Sequence, residues 1–128
     1  MISHVFLGVA DFERAFDFYS VVLAELGLAL KFKDRARPWA GWMQPGHPRP
    51  LFLIGAPFDG EHEAGNGQMT ALLAPSRAAV DSVYALALAH GARTEGAPAL
   101  RPEYHAAYYG AYFRDLDGNK LCVVCHEA

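Results

Sequence analysis

The sequence predicts an α+β fold: two βαβββ modules forming a curved mixed sheet around a cavity, with the helices outside. Three observations predict it. A strand-like run followed by a capped amphipathic helix opens the chain, and the same unit returns 65 residues later, "HVFLGVADFERAFDFY" (4–19) lying over "MTALLAPSRAAVDSVY" (69–84). Further on, "WAGWMQPGHPRPLFLIG" (39–55) lies over "YGAYFRDLDGNKLCVVC" (109–125) at an offset of 70, with turn residues between two strands in both. An internal repeat constrains the fold more than any single element does.

The first strand spans about residues 2–9. Alternation puts His4, Phe6 and Gly8 on one face and Val5, Leu7 and Val9 on the other. A helix follows Asp11, which is a good N-cap. Its apolar stripe is Phe12, Ala15, Phe16, Tyr19, Val22, Leu23 and Leu26, and Gly27 stands where a helix end wants a left-handed residue. In the second half a strand over 68–74 leads to the cap Ser76, the stripe Val80, Val83, Tyr84 and Ala87, and the closing Gly91. The segment "APFDGEHEAGNG" (56–67) breaks every periodicity. The chain therefore reads as one domain, 1–128, with module 1 at about 1–57, a linker at about 58–66 and module 2 at about 67–128.

The composition, 52% hydrophobic and 20% charged over 128 residues, is that of a globular protein. A formal net charge of −3 gives no basic footprint for nucleic acid, and no apolar stretch is long enough for a membrane span. The start, "MISHVFLGV", has neither a basic n-region nor a small-residue cleavage site, so the expected compartment is cytoplasmic. Cys122 and Cys125 form C-x-x-C within a strand, where a spacing of three sends the thiols to opposite faces. This argues against a redox dithiol or a shared zinc site.

With the helices outside, Met43 and Phe113 are expected to face them, and Trp42, Gln44, Tyr112 and Arg114 to face the cavity. An aromatic wall with a few polar groups suits a small molecule. Arg114 offers a carboxylate or phosphate a bidentate fork, or else pairs with Asp115, Asp117 or another acid. The loop "RPEYHAAYYG" (101–110), with Arg101, Glu103, Tyr104, His105, Tyr108 and Tyr109, reads as a lid or substrate contact, or as a dimer interface. His105, with His4, is the candidate general base. "KFKDRAR" (31–37) reads as a solvated strand edge, "DGEHEAG" (59–65) as a flexible acidic loop, and His90 as a group suited to a helix C-terminus. His126, ending the last strand, is placed to reach the cavity rim.

Paired βαβββ modules with "RDLDGNKL" before the last strand resemble the vicinal-oxygen-chelate superfamily, which includes glyoxalase I, extradiol dioxygenases, fosfomycin-resistance enzymes and bleomycin-resistance proteins. The resemblance covers nearly the whole chain and is closest to short bacterial glyoxalase-like proteins. It implies metal-ligand positions at His4, Phe52, Met69 and Cys122, of which only His4 keeps a common ligand type; His is usual where Met69 stands and Glu where Cys122 stands. Phe52 offers a divalent cation nothing, a thioether is weak, and an apolar cavity disfavours the Cys122 thiolate. His, Met and Cys together form a soft set that Cu(I) accepts. The expectation is thus a protein that binds a small molecule in a cavity lined by His4, Trp42, Gln44, Phe52, Met69, Tyr112, Arg114 and Cys122, with a degenerate metal site and no cofactor. The family-based alternative is a lyase, isomerase or dioxygenase using a divalent metal ion. The resemblance also implies a homodimer.

Overall fold

The computed structural model describes all 128 residues, Met1–Ala128. The chain divides into two units, Met1–Ala64 and Gly65–Ala128, the division falling inside the predicted linker. The first holds β1 (His4–Gly8), α1 (Phe12–Glu25), β2 (Ala29–Asp34), β3 (Trp39–Met43) and β4 (Leu51–Gly55). The second holds β5 (Thr70–Leu73), α2 (Arg77–Ala89), β6 (Arg93–Leu100), β7 (Tyr109–Arg114) and β8 (Lys120–Cys125). Each is the predicted βαβββ module. The sheet orders are β1-β4-β3-β2 and β5-β8-β7-β6. In each sheet the first strand pairs in parallel with the last, and the other pairings are antiparallel.

The helix boundaries are local chemistry repeated twice. Asp11 Oδ1 accepts the Arg14 N–H at 3.1 Å, and Ser76 Oγ accepts the Ala79 N–H at 3.0 Å. At the other ends Gly27 and Gly91 take positive φ, 80° and 102°. Around them Gly27 N–H donates to Ala24 O and Leu28 N–H to Leu23 O; Gly91 N–H donates to Leu88 O and Ala92 N–H to Ala87 O. These are paired Schellman closures, which satisfy carbonyls the helix leaves free. His90 caps α2 as well, its Nδ1 lying 2.8 Å from Leu86 O.

Each helix buries its stripe on one face of its sheet. In the first unit Tyr19 packs on Phe52 (ring centroids 5.2 Å) and Trp42 (6.5 Å), while Phe16 packs on Trp42 (5.5 Å). Phe16 is only half-buried, and the Lys33 ammonium covers it at 3.9 Å from the ring centre while pairing with Glu13 at 2.8 Å. In the second unit Val80, Val83 and Ala87 are buried with Ala111, Phe113, Leu121 and Val123. Tyr109, on the same face of β7 as Phe113, donates to Asp81 of α2 at 2.7 Å.

This packing corrects the expected facing of the first module. Trp42 and Phe52 pair across β3 and β4 and lie in the core against α1, so neither looks away from the helix. Gly41 and Leu53 take the opposite face with Phe32. Gln44 lies outside β3, in an exposed turn. The cause is hairpin length. Gln44–Pro50 joins β3 to β4, whereas the shorter Asp115–Asn119 joins β7 to β8. The two extra residues are shared, one to each strand, so the pairing survives but every side chain changes face. The counterpart of Cys122 is Leu53, and that of Tyr112 is Gly41.

The segment expected to be a flexible linker also does more. Phe58 stacks on Phe6 at 4.7 Å, and the His62 ring lies so close to Gly8 that a Cβ there would meet Nδ1 at 2.6 Å.

The two closing glycines differ in their surroundings, which ranks two substitutions. Gly27→Ala meets nothing within 4 Å and carries the left-handed backbone cost alone, about 1–2 kcal/mol. Gly91→Ala adds a Cβ 2.8 Å from Leu116 Cδ2 and is expected to cost more. Urea denaturation of both variants checks the order; equal or reversed costs contradict it.

Candidate functional site

Because Phe113, Leu121 and Val123 turn toward α2, strand alternation sends Tyr112, Arg114, Lys120 and Cys122 to the other face of the second sheet. Tyr112 and Cys122 are direct cross-strand partners, as are Arg114 and Lys120. Tyr108, just ahead of β7, shares this face. Its Oη lies 2.8 Å from Tyr112 Oη and 3.5 Å from Cys122 Sγ. Three protic groups from two strands are thus joined in one cluster.

Arg101, which follows β6, supplies the cluster's charge. Its guanidinium stands 5.0 Å from the centre of the Tyr112 ring, and the Lys120 ammonium stands 5.6 Å from the same centre. Arg101 Nη2 donates to Ala97 O at 2.8 Å and Gly110 O at 3.4 Å, while its buried Nε has no partner. Gly96 makes the space, since a Cβ there would lie 3.0 Å from Arg101 Nη2 and 3.4 Å from Tyr112 Cδ2. Arg114 does not present its fork: Nε donates to Glu95 at 2.6 Å and Nη1 to Gly118 O at 3.1 Å. Of the partners expected for Arg114, the one found is another acid, neither Asp115 nor Asp117. Asp115 instead is buried and accepts N–H groups from Asp117 and Asn119, fixing the β7–β8 turn.

Burial holds these groups protonated. It pushes the Cys122 thiol up, against the lowering influence of the Tyr108 and Tyr112 hydroxyls. It pushes Tyr108 up strongly, with the bonds to Tyr112 and Cys122 acting in the same direction, and it raises Tyr112 too. The cluster is a set of neutral donors and acceptors beside fixed cations.

The loop after Arg101 closes on itself through Arg101 N–H to Tyr108 O at 2.9 Å. It carries His105, whose Nε2 lies 2.8 Å from His126 Nδ1, with the two rings stacked at 5.0 Å. Ala107 N–H donates to His105 Nδ1 at 3.2 Å. That bond makes Nδ1 an acceptor, so in the neutral pair His105 Nε2 carries the proton and donates to His126. Tyr108 meets both rings edge-on, at 5.7 Å and 5.4 Å. Both His105 nitrogens are engaged, and a general-base role would have to break one of these bonds.

His4 and Met69, also expected at the site, belong to different units. His4 is exposed at the head of β1, its Nδ1 2.9 Å from Ser3 Oγ. Met69 precedes β5 and is 46% exposed. The family's metal does not fit the donors present. Phe52 and its neighbour Leu53 are both hydrocarbon, Cys122 is a neutral thiol under Tyr108, and nowhere in either unit do three His, Cys, Asp or Glu side chains converge.

Sequence reasoning placed Tyr112 and Cys122 on this face, named Arg101 and Tyr108 only as part of a lid or contact loop, and passed over Lys120 and Glu95. Tyr108 was legible by extending the alternation of β7 one step backward. Arg101 was not, because it arrives from a loop.

The state of Cys122 sets a pH dependence. Its thiol titrates higher folded than unfolded, so its contribution to stability is complete below about pH 8.5, the unfolded range, and is lost as pH rises above it. Cys122→Ala is expected to flatten the fall in urea midpoint between pH 7.5 and 9.5. An unchanged slope contradicts a neutral buried thiol.

A family model described as Glyoxalase/Bleomycin resistance protein/Dioxygenase superfamily matches residues 1–123. No curated protein matches the chain. Among solved structures, a glyoxalase/bleomycin resistance protein from Albidiferax ferrireducens T118 is 31% identical over 98% of both chains, with a TM-score of 0.87. A superfamily member from Sphaerobacter thermophilus DSM 20745 is 22% identical over 98% of this chain and 96% of that one, with a TM-score of 0.68. TnmS3, an antibiotic binding protein from Streptomyces sp. CB03234, is 20% identical over 98% of this chain and 94% of its own, with a TM-score of 0.69. With the model covering all but the last residues, and a relative this similar end to end, the chain belongs to the glyoxalase/bleomycin resistance/dioxygenase superfamily.

Proposed function

We propose that this protein binds a small organic molecule on the face of the second module's sheet opposite α2, and that it does so without the divalent metal ion of its catalytic relatives. The observation that carries the reading is the cluster Tyr108–Tyr112–Cys122, three protic groups in contact on a half-open aromatic surface. Aromatic area with a few placed polar groups is what a small-molecule site requires. An antibiotic-binding protein among the structural neighbours supports the reading at the level of fold. The alternative, a lyase, isomerase or dioxygenase using a divalent metal ion, is less well supported, because the donors present do not suit that ion.

A thermal-shift screen of aromatic small molecules, followed by calorimetry, tests binding. Saturation at 100 times Kd should stabilise the protein by about 2.7 kcal/mol. Tyr112→Ala, which removes the ring and its hydroxyl, is expected to weaken the best ligand by at least about tenfold, roughly the loss of one hydrogen bond and its stacking. Undiminished affinity in Tyr112→Ala sinks the assignment.

Metal content is tested separately. Protein purified without an affinity tag and dialysed against Zn²⁺, Mn²⁺, Fe²⁺ or Ni²⁺ is expected to retain far less than one equivalent by elemental analysis. Stoichiometric metal that disappears in His4→Ala would revive the enzymatic reading.

We further propose a cytoplasmic homodimer. The two thiols are free and buried, which suits a reducing compartment. The edge strand β5 presents Leu73, 70% exposed, after the half-exposed Met69, and an apolar edge of this kind favours a cover. Light scattering on a sizing column should return twice 14.0 kDa; a monomer at micromolar concentration contradicts it. No helix is long and apolar enough to cross a membrane.

A further inference from the structure

We infer that the molecule bound on the second module's sheet is an organic anion, a carboxylate on a flat body, recognised by Arg101 and Lys120 beside the Tyr112 ring. The inference rests on the small-molecule reading above and adds the class of ligand.

The charges on this face do not balance. Glu95 is the carboxylate ion-paired among the cations here. It is bonded to Arg114, and its carboxyl is held below the usual range by that bond, with Lys120 and Arg93 adding to the effect. Three cations therefore share one acid. Arg101 is a fourth and pairs with none: both its hydrogen bonds leave from Nη2 and end on backbone carbonyls. This excess of positive charge sits in a protein whose net charge is −3. Tyr108, Tyr112 and Cys122 stay protonated and add no negative charge.

Arg101 is also incompletely satisfied. Its Nε is buried without a partner. An unpaired buried donor is costly, and a guanidinium binds a carboxylate through two parallel N–H groups. Arg101 would gain that acceptor by releasing a backbone carbonyl from Nη2 and turning its Nε edge toward a ligand oxygen. The backbone accommodates the group: the β6–β7 register shifts on either side of Gly96, and the absence of a Cβ there leaves room for Nη2. The flat body follows from the Tyr112 ring, which both cations already attend.

The test compares three probes of one shape and different charge, benzoate, benzamide and benzylamine, by ¹H–¹⁵N NMR titration of the intact protein. Benzoate is expected to shift the resonances of Arg101, Tyr112 and Cys122 and to bind about tenfold or more tighter than benzamide, with benzylamine weakest. Lys120→Gln and Arg101→Gln should each weaken benzoate several-fold and leave benzamide unchanged, and Arg101→Lys should recover part of the loss. Arg101 also ties its loop to Ala97 and Gly110, so if Arg101→Gln melts early, Lys120→Gln and the probe ranking decide. Benzamide binding as tightly as benzoate, with Lys120→Gln silent, overturns the anion inference and leaves the small-molecule site standing. Preference for benzylamine also overturns it. If no probe moves any resonance on this face at millimolar concentration, both readings fall.

Discussion

What the second module offers a ligand depends on which side of β7 and β8 each residue leaves the sheet. That is fixed by burial beneath α2. Phe113, Leu121 and Val123 are withdrawn from water, and at about 1.5–3 kcal/mol per large apolar side chain no one-residue slip of the strands can compete. Once they are buried, Tyr112, Lys120 and Cys122 have only the opposite face. Site chemistry is here a by-product of core packing. The neutral state of Cys122, the Tyr108–Tyr112 contact and the exposure of the Tyr112 ring to two cations all follow from the parity of two antiparallel strands.

The same parity shows why much was readable and some was not. Caps, stripes and closing glycines are encoded within a few residues, so Asp11, Ser76, Gly27 and Gly91 announce their roles in the bare sequence. Facing in the second module was legible as well, because the tight Asp115 turn has a fixed length. In the first module two additional hairpin residues moved Trp42 and Phe52 onto the helix side, and aromatic-on-aromatic alignment concealed the shift. Partners far apart in sequence were beyond reach. Glu95 for Arg114 and His126 for His105 are choices made by the folded sheet, and no local pattern specifies them.

Family membership does not by itself say what this chain does. The superfamily's architecture is complete, down to matched Schellman closures on both helices. The metal-ligand set that the resemblance implies at His4, Phe52, Met69 and Cys122 is not, since Phe52 is hydrocarbon and Cys122 a buried thiol held protonated. A fold supplies positions, and the residues placed there decide what is done with them. In this protein hydrocarbon occupies β4, while Tyr108, Tyr112, Cys122, Arg101 and Lys120 meet at the second sheet.

The packing of Phe58 on Phe6 and of His62 against Gly8 has a consequence for the duplication itself. The segment after β4 folds back over the first strand of its own module, and Leu53 with Phe32 closes around Gly41 on the same side. One half of the repeat covers part of its own sheet face with apolar groups, while the other carries polar groups there. The two copies thus differ in what they place on the sheet face away from the helix, aromatic rings and aliphatic chains in the first, protic and cationic groups in the second. Exchanging their sheet faces would have to move a linker as well as a handful of side chains.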